Sequence, residues 1–276
     1  VKPFVKWAGG KTFLLPCIEK LLPSSINTYY EPMVGGGALL FRLLEMKRIE
    51  KAVISDTVQP LMNTYLQLKK NPYAVLDVLK SLSTRHMNLL RKTGYAASLY
   101  YHVRETVQSG NPATQAAKFI YLNKTCYNGL FRVNKSGEFN APYGSYQNPT
   151  LCNEPLILEV SKALKNVRIF CADFEESVQD AKKGDLVYFD PPYLPIKPTS
   201  FVSYTKASFT VADHERLERT MHFLTKKGVK VILSASSSPL TRKIFRKYTR
   251  IEVQSPRRIN SKGQERSLVT EYLIVP

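Results

Sequence analysis

The sequence has little cysteine and little acid. Its four cysteines, Cys17, Cys126, Cys152 and Cys171, stand apart in 276 residues and no two form a C-x-x-C pair. That excludes a zinc ribbon and a thioredoxin-type redox pair and predicts free thiols in a reducing compartment. The four histidines, His86, His102, His214 and His222, lack ligand spacing, and His214-Glu215 is not followed by the P-C-x-x-C of a zinc deaminase. No metal is expected. No apolar run is long enough to cross a bilayer, no signal segment opens the chain, and no internal repeat or low-complexity tract occurs. The chain opens on Val1 rather than Met, so an initiator or short leader is expected to precede it.

Acid is scarce enough to say something about partners. Against 22 Asp and Glu stand 40 Lys and Arg, a formal charge of +18. An excess this large exceeds what solubility needs and points to an acidic partner, nucleic acid first. A membrane surface fits less well, because no basic amphipathic helix has a clean apolar face. With 43% apolar residues the chain has the composition of a folded protein, and its length allows one or two domains around a sizeable core.

Strand and helix alternate at both ends of the chain. The apolar patterns predict strands at 28–31, 52–55, 167–171, 186–189, 229–234 and 268–275. Helices are predicted at 13–22, 37–46, 211–226 and 239–248. Near-continuously apolar strands alternating with helices predict a parallel sheet covered on both faces. Residues 58–123 read as helix after helix. Residues 125–149 are rich in Asn, Gly, Tyr and Pro and read as a long ordered loop or small hairpin, a feature that is usually functional. The expected organisation is an α/β domain of residues 1–56 and 165–276, interrupted by a mainly helical insertion at 57–164.

Two motifs sit at strand ends. Glu31-Pro32-Met33-Val34-Gly35-Gly36-Gly37-Ala38 joins a strand to a helix, and Asp56 ends the next strand. The glycines let the backbone turn sharply and approach a ligand. The spacing is neither G-x-G-x-x-G nor a P-loop. An acid placed like Asp56 accepts hydrogen bonds from ribose hydroxyls in nucleotide-binding α/β folds; a tight turn followed by an N-cap Asp explains the same residues equally well. The sharper motif is Asp190-Pro191-Pro192-Tyr193 after the apolar run Leu186–Phe189. Two prolines stiffen the backbone at the carboxyl end of a strand, where open α/β sheets place ligands. Asp190 and the Pro191 carbonyl suit the two hydrogens of an exocyclic amino group, and Tyr193 suits stacking on its base. Such bonds draw the amino nitrogen toward tetrahedral geometry and free its lone pair for attack on an electrophilic methyl.

These residues resemble the amino-methylating DNA methyltransferases, most closely the DNA adenine methylase family of the GATC-modifying type. The matching segments are residues 4–11, 31–38, Asp56, 127–134, 140–144, Asp173-Phe174, 190–193 and 201–209, in family order. The resemblance implies a doubly wound, Rossmann-like methyltransferase fold with a target-recognition insertion, S-adenosylmethionine as methyl donor, and a flipped adenine in double-stranded DNA as acceptor. It implies donor contacts at Trp7, Lys11, Glu31, Gly35, Gly36, Gly37, Asp56, Asp173, Phe174 and Asp190. It implies a catalytic corner at Asp190, Pro191, Pro192 and Tyr193. It implies DNA contacts at Lys6, Tyr127, Asn128, Leu130, Arg132, Asn134 and Pro142, with Tyr127 as a wedge beside the flipped base. Met33 departs from the family, many of whose members carry an aromatic residue there.

By residue type alone Arg132 suits a phosphate; the resemblance makes it a reader of a guanine edge. The stretch 242–266 holds nine Lys and Arg against Glu252 and Glu265, and reads as a phosphate clamp or as a solvated basic face. Rival functions were a cytosine-N4 methylase, which shares the amino chemistry, and a catalytically silent DNA-binding protein. Pro16-Cys17 superficially fits a cytosine-C5 nucleophile but lies in a predicted helix. A protein-glutamine methylase usually carries Asn where Asp190 stands. The chain is expected to act in the cytoplasm, near the nucleoid, as a monomer.

Overall fold

The computed structural model describes residues 1–134, 136–194, 209–256 and 268–276. In chain order the elements are α1 (Leu15–Glu19), β1 (Tyr29–Pro32), α2 (Ala38–Glu45), β2 (Ala52–Asp56), α3 (Gln59–Lys70), α4 (Pro72–Thr93), α5 (Ala97–Glu105) and α6 (Pro112–Thr125). They continue with α7 (Glu154–Ala163), β3 (Val167–Cys171), α8 (Phe174–Ser177), β4 (Leu186–Phe189), α9 (Val211–Lys226), β5 (Lys230–Ser236), α10 (Pro239–Ile244), β6 (Thr249–Pro256) and β7 (Leu268–Val275). The strands form one sheet in the order β3-β2-β1-β4-β5-β7-β6. The mixed α/β architecture is the doubly wound fold expected from the alternation.

Strands β3, β2, β1, β4 and β5 are parallel. Strand β1 and strand β4 are buried at every position, which is why β4 reads as a continuous apolar run, while β1 carries Glu31 into the interior. The expectation of an all-parallel sheet needs one correction. Strand β7 runs antiparallel between β5 and β6. Strand β6 was given no range by the apolar patterns. Its sequence Thr-Arg-Ile-Glu-Val-Gln alternates polar and apolar residues, as an edge strand with one wet face does. Direction in the sheet is a property of connection, which the β6–β7 pairing sets and an apolar pattern does not encode.

Strand order reverses between β1 and β4. Chains leaving neighbouring parallel strands in opposite directions open a crevice at their carboxyl ends, the usual ligand position in such sheets. Glu31 lies next to the carboxyl end of β1 and Asp190 follows β4, so this crevice receives both motifs.

Between β2 and β3 the chain runs through α3 to α7. Helix α3 packs on α6, α7 and β3, and α4 packs on α6. The hydrophobic core therefore continues without a break from the sheet into these helices. Helix α6 is at its centre: Ala116, Ala117, Phe119, Ile120, Tyr121 and Leu122 are all buried. Asn111 caps it by accepting a hydrogen bond from the Thr114 N–H at 2.9 Å. Residues 126–143 form a small hairpin-like structure, with bridges Cys126–Tyr143 and Val133–Phe139.

Candidate active site

The glycine turn is held from three sides. Met33, Gly35 and Gly37 adopt left-handed backbone, with φ of 69°, 49° and 67°. The Gly35 N–H donates to Asp56 Oδ2 at 3.1 Å, and the Gly35 carbonyl accepts from the Tyr65 hydroxyl at 3.0 Å. Above it lies Trp7: a Cβ at Gly35 would stand 2.5 Å from Trp7 Cδ1. Only glycine admits the indole. Asp56 accepts also from the Val58 N–H, at 3.0 Å through Oδ1. Asp56 is not the N-cap of α3, which is Val58; it stands two residues earlier and closes a tight turn onto the Val58 N–H. Burial pushes its pKa up, against backbone N–H groups that lower it. Glu31 is buried with Oε2 accepting from the Tyr29 hydroxyl (2.8 Å) and the Leu40 N–H (3.0 Å). Burial raises its pKa to about 8.

The Asp190 corner meets the N-terminal segment that carries Trp7, through Lys11. Lys11 Nζ lies 2.9 Å from Asp190 Oδ1 and donates to the Gly9 carbonyl at 2.6 Å. The same oxygen accepts from Ser234 Oγ at 2.6 Å, and Ser234 accepts from the Tyr188 hydroxyl at 3.1 Å. Burial pushes the Asp190 carboxyl up, and Lys11 with Ser234 pulls it back. These contacts all fall on Oδ1. Lys11 Nζ also lies 4.4 Å over the Tyr193 ring. The Tyr193 hydroxyl donates to Glu271 Oε2 at 2.5 Å. His214, buried in the first turn of α9, bonds the Thr210 carbonyl at 2.9 Å and also the backbone of Pro192. Its neutral form is favoured by burial.

Asp173 caps α8 by accepting from the Glu175 N–H. Arg216 on α9 grips both its oxygens, at 2.8 and 2.9 Å, and lies 4.4 Å over the Phe174 ring. Phe174 is buried against Phe189 and Phe209. Neither the Arg216 clamp nor this burial was foreseen.

The expected DNA-facing residues gather around the hairpin. Asn123, buried at the end of α6, accepts from the Lys6 N–H and donates to the Lys6 carbonyl, both at 2.8 Å. This ties the N-terminal motif to the hairpin, and Gly129 packs against the Lys6 side chain. The Lys6 ammonium lies 4.8 Å over the Tyr146 ring. Tyr127 is 55% exposed, with its N–H bonded to the Pro142 carbonyl at 2.9 Å. Asn128 and Pro142 are exposed and Leu130 half-buried. Arg132 is exposed, its Nε and Nη2 held by Asn140 at 2.8 and 2.9 Å. Asn134 folds inward, bonding Ser136, Glu138 and the hairpin turn. Trp7 stacks on Phe131 of this hairpin at 5.6 Å and 18°, so the glycine turn and the hairpin share one aromatic cluster. The basic run 257–266 and the segment 201–208 lie outside the described residues.

The profile of the D12 class N6 adenine-specific DNA methyltransferases matches residues 7–259. The chain belongs to that family. It is 43% identical to the Type II methyltransferase M.MjaIII of Methanocaldococcus jannaschii, over 96% of this chain and 95% of that protein. It is 38% identical to the Type II methyltransferase M1.LlaDCHI of Lactococcus lactis, over 99% and 95%. It is 31% identical to the DNA adenine methylase of Escherichia coli K12, over 99% and 94%. The enzyme is thus an adenine-specific DNA methyltransferase, and the cytosine-N4 and catalytically silent alternatives give way to it.

In this methyltransferase the site residues that sequence reasoning missed are those acting at a distance along the chain. Ser234 and Glu271 hold the Asp190 corner from β5 and β7, and Tyr65 holds the glycine turn from α3. Only Glu271 left a signal, as an acid inside the otherwise apolar run 271–275. Among the described residues no group of His, Cys, Asp or Glu is arranged to hold a metal, and no helix is long and apolar enough to cross a membrane. The four cysteines are free thiols.

Proposed function

We propose that the enzyme takes its methyl from S-adenosylmethionine and places it on N6 of an adenine flipped out of double-stranded DNA, within GATC. What carries the proposal is that one N-terminal segment reaches both motifs: its Trp7 packs on the glycine turn and its Lys11 meets Asp190 at 2.9 Å. The residues present fit the donor. Gly35 carries no Cβ beneath Trp7, so the indole seats directly on the turn and offers an aromatic wall to a donor in the crevice. Glu31, Asp56 and Asp190 supply acceptors for an ammonium and for hydroxyls, with Lys11 balancing the charge. Asp173 and Phe174 lie on the next strand-to-helix turn, at the position for the donor's base. When bound, S-adenosylmethionine supplies an electrophilic methyl.

The chain's own residues then act on the adenine. Flipping costs a few kcal/mol, which Tyr127, exposed and rigidly bonded to Pro142, offsets by wedging into the duplex. Asp190 Oδ2, turned away from Lys11 and Ser234, accepts one N6 hydrogen, and the Pro191 carbonyl accepts the other. Tyr193 stacks on the base. These bonds localise the nitrogen lone pair, so direct attack needs no covalent enzyme intermediate: the N6–methyl bond forms as the methyl–sulfur bond breaks, and the surplus N6 proton leaves along the hydrogen bond to Asp190 Oδ2. Asp190 takes the hydrogen bond that strengthens as the nitrogen gains positive charge. Lys6, Leu130, Arg132 and Pro142 read bases, Asn128 and Asn134 shape the hairpin that presents them, and residues 57–164 serve as the recognition region. The enzyme works as a monomer in the cytoplasm.

Long-read sequencing of DNA from cells expressing the chain reports modified base and context together. N6-methyladenine in GATC is expected, and none with Asp190→Ala, whose DNA binding persists. Near-normal methylation by Asp190→Ala would refute its role, and another sequence context would overturn GATC.

A further inference from the structure

We infer that Glu271 is a positioning residue for methyl transfer: its carboxylate holds the Tyr193 hydroxyl and so orients the ring against which the target adenine stacks. This rests on the reading above that Tyr193 stacks on the base. Glu271 lies on β7, opposite Val253 of β6 and Ser236 of β5, far from Tyr193 in sequence. A half-buried acid in a sheet needs partners for its oxygens, and here they are separate. Oε2 accepts from the Tyr193 hydroxyl at 2.5 Å, and Oε1 accepts from Ser255 Oγ at 2.7 Å. Ser255 is itself buried on β6, so the carboxylate is fixed at its far end before it meets the tyrosine.

The geometry does what stacking requires. Fixing the phenol oxygen fixes the direction of the Tyr193 side chain. Lys11, 4.4 Å over the ring, covers one face and sets its plane. The ring stays partly exposed, and the base is assigned to the face away from Lys11. A hydroxyl bonded to a carboxylate makes one of the stronger hydrogen bonds in proteins, and misplacing a positioning group by about 1 Å costs about a hundredfold in rate.

The test is steady-state methylation of a target duplex by the full chain, with thermal melting of each variant. Tyr193→Phe and Glu271→Ala are each expected to lower kcat about tenfold, with KM for DNA changed by no more than about twofold. The double variant is expected to lose no more than either alone. Glu271→Gln, whose amide oxygen still accepts from the phenol, is expected to keep kcat within about threefold of the parent. Losses that multiply to about a hundredfold in the double variant would show Glu271 acting on the β6–β7 pair alone, and would overturn the inference. Unchanged kcat in Tyr193→Phe would overturn it too, without any change at Glu271 that could disturb folding. Full kcat in Tyr193→Ala would instead overturn the stacking reading on which it stands.

Discussion

Gly35→Ala isolates the glycine turn. Its φ of 49° is left-handed, which costs an L-residue about 1–2 kcal/mol. The new methyl would stand 2.5 Å from Trp7 Cδ1 and 2.9 Å from Nε1, where ordinary contact is about 3.5–4.0 Å. The turn cannot yield, because the Gly35 N–H is held by Asp56 and its carbonyl by Tyr65. The indole must therefore move by about 1 Å and unstack from Phe131, a pair worth about 0.5–1.5 kcal/mol. The sum is about 2–3 kcal/mol. Divided about equally, it lowers the melting temperature by roughly 2–6 °C and weakens donor binding about 5- to 10-fold. Gly36→Ala is the control: its Cβ would meet Trp7 Cβ at 3.4 Å, and its φ is not left-handed. Trp7 is the only tryptophan, so its fluorescence reports the displacement, and calorimetry with S-adenosylmethionine reads the affinity. Equal donor affinity in the two alanine variants would refute the reasoning.

Two other expectations test electrostatics and base reading. Burial holds the Glu31 carboxyl near pH 8, so above its unfolded pKa the native state binds more protons than the unfolded one. Stability therefore falls as pH rises from about 4.5 to about 8, by roughly 3–5 kcal/mol. Glu31→Gln keeps acceptors for Tyr29 and Leu40, so its melting temperature should gain on the parent steadily from pH 5 to pH 8; a gap independent of pH would sink the idea. Arg132→Ala should relax discrimination at one guanine by about 1–3 kcal/mol, measured as kcat/KM on single-substituted duplexes. A uniform loss on every sequence would make Arg132 a phosphate contact.

Charge, strand-helix alternation and two short motifs were legible in the sequence because their causes are local. Burial on both faces writes β4 as an apolar run. Two prolines after Asp190 end a strand whatever surrounds it, and glycines at 35 and 37 mark the places where φ turns positive. The +18 charge needs no fold to attract DNA. What lay beyond the sequence was every contact between distant segments. Asp190 has its lysine 179 positions away at Lys11, its serine on β5, and beside it a tyrosine anchored from β7. Asp173, an acceptor by its position, is gripped by Arg216 from α9. Even the direction of β7 and the existence of β6 depend on which strand each one joins. Local patterning specifies elements because propensity and burial act within a few residues. The site arises at the meeting of five strand ends, and only their packing decides which side chain faces which.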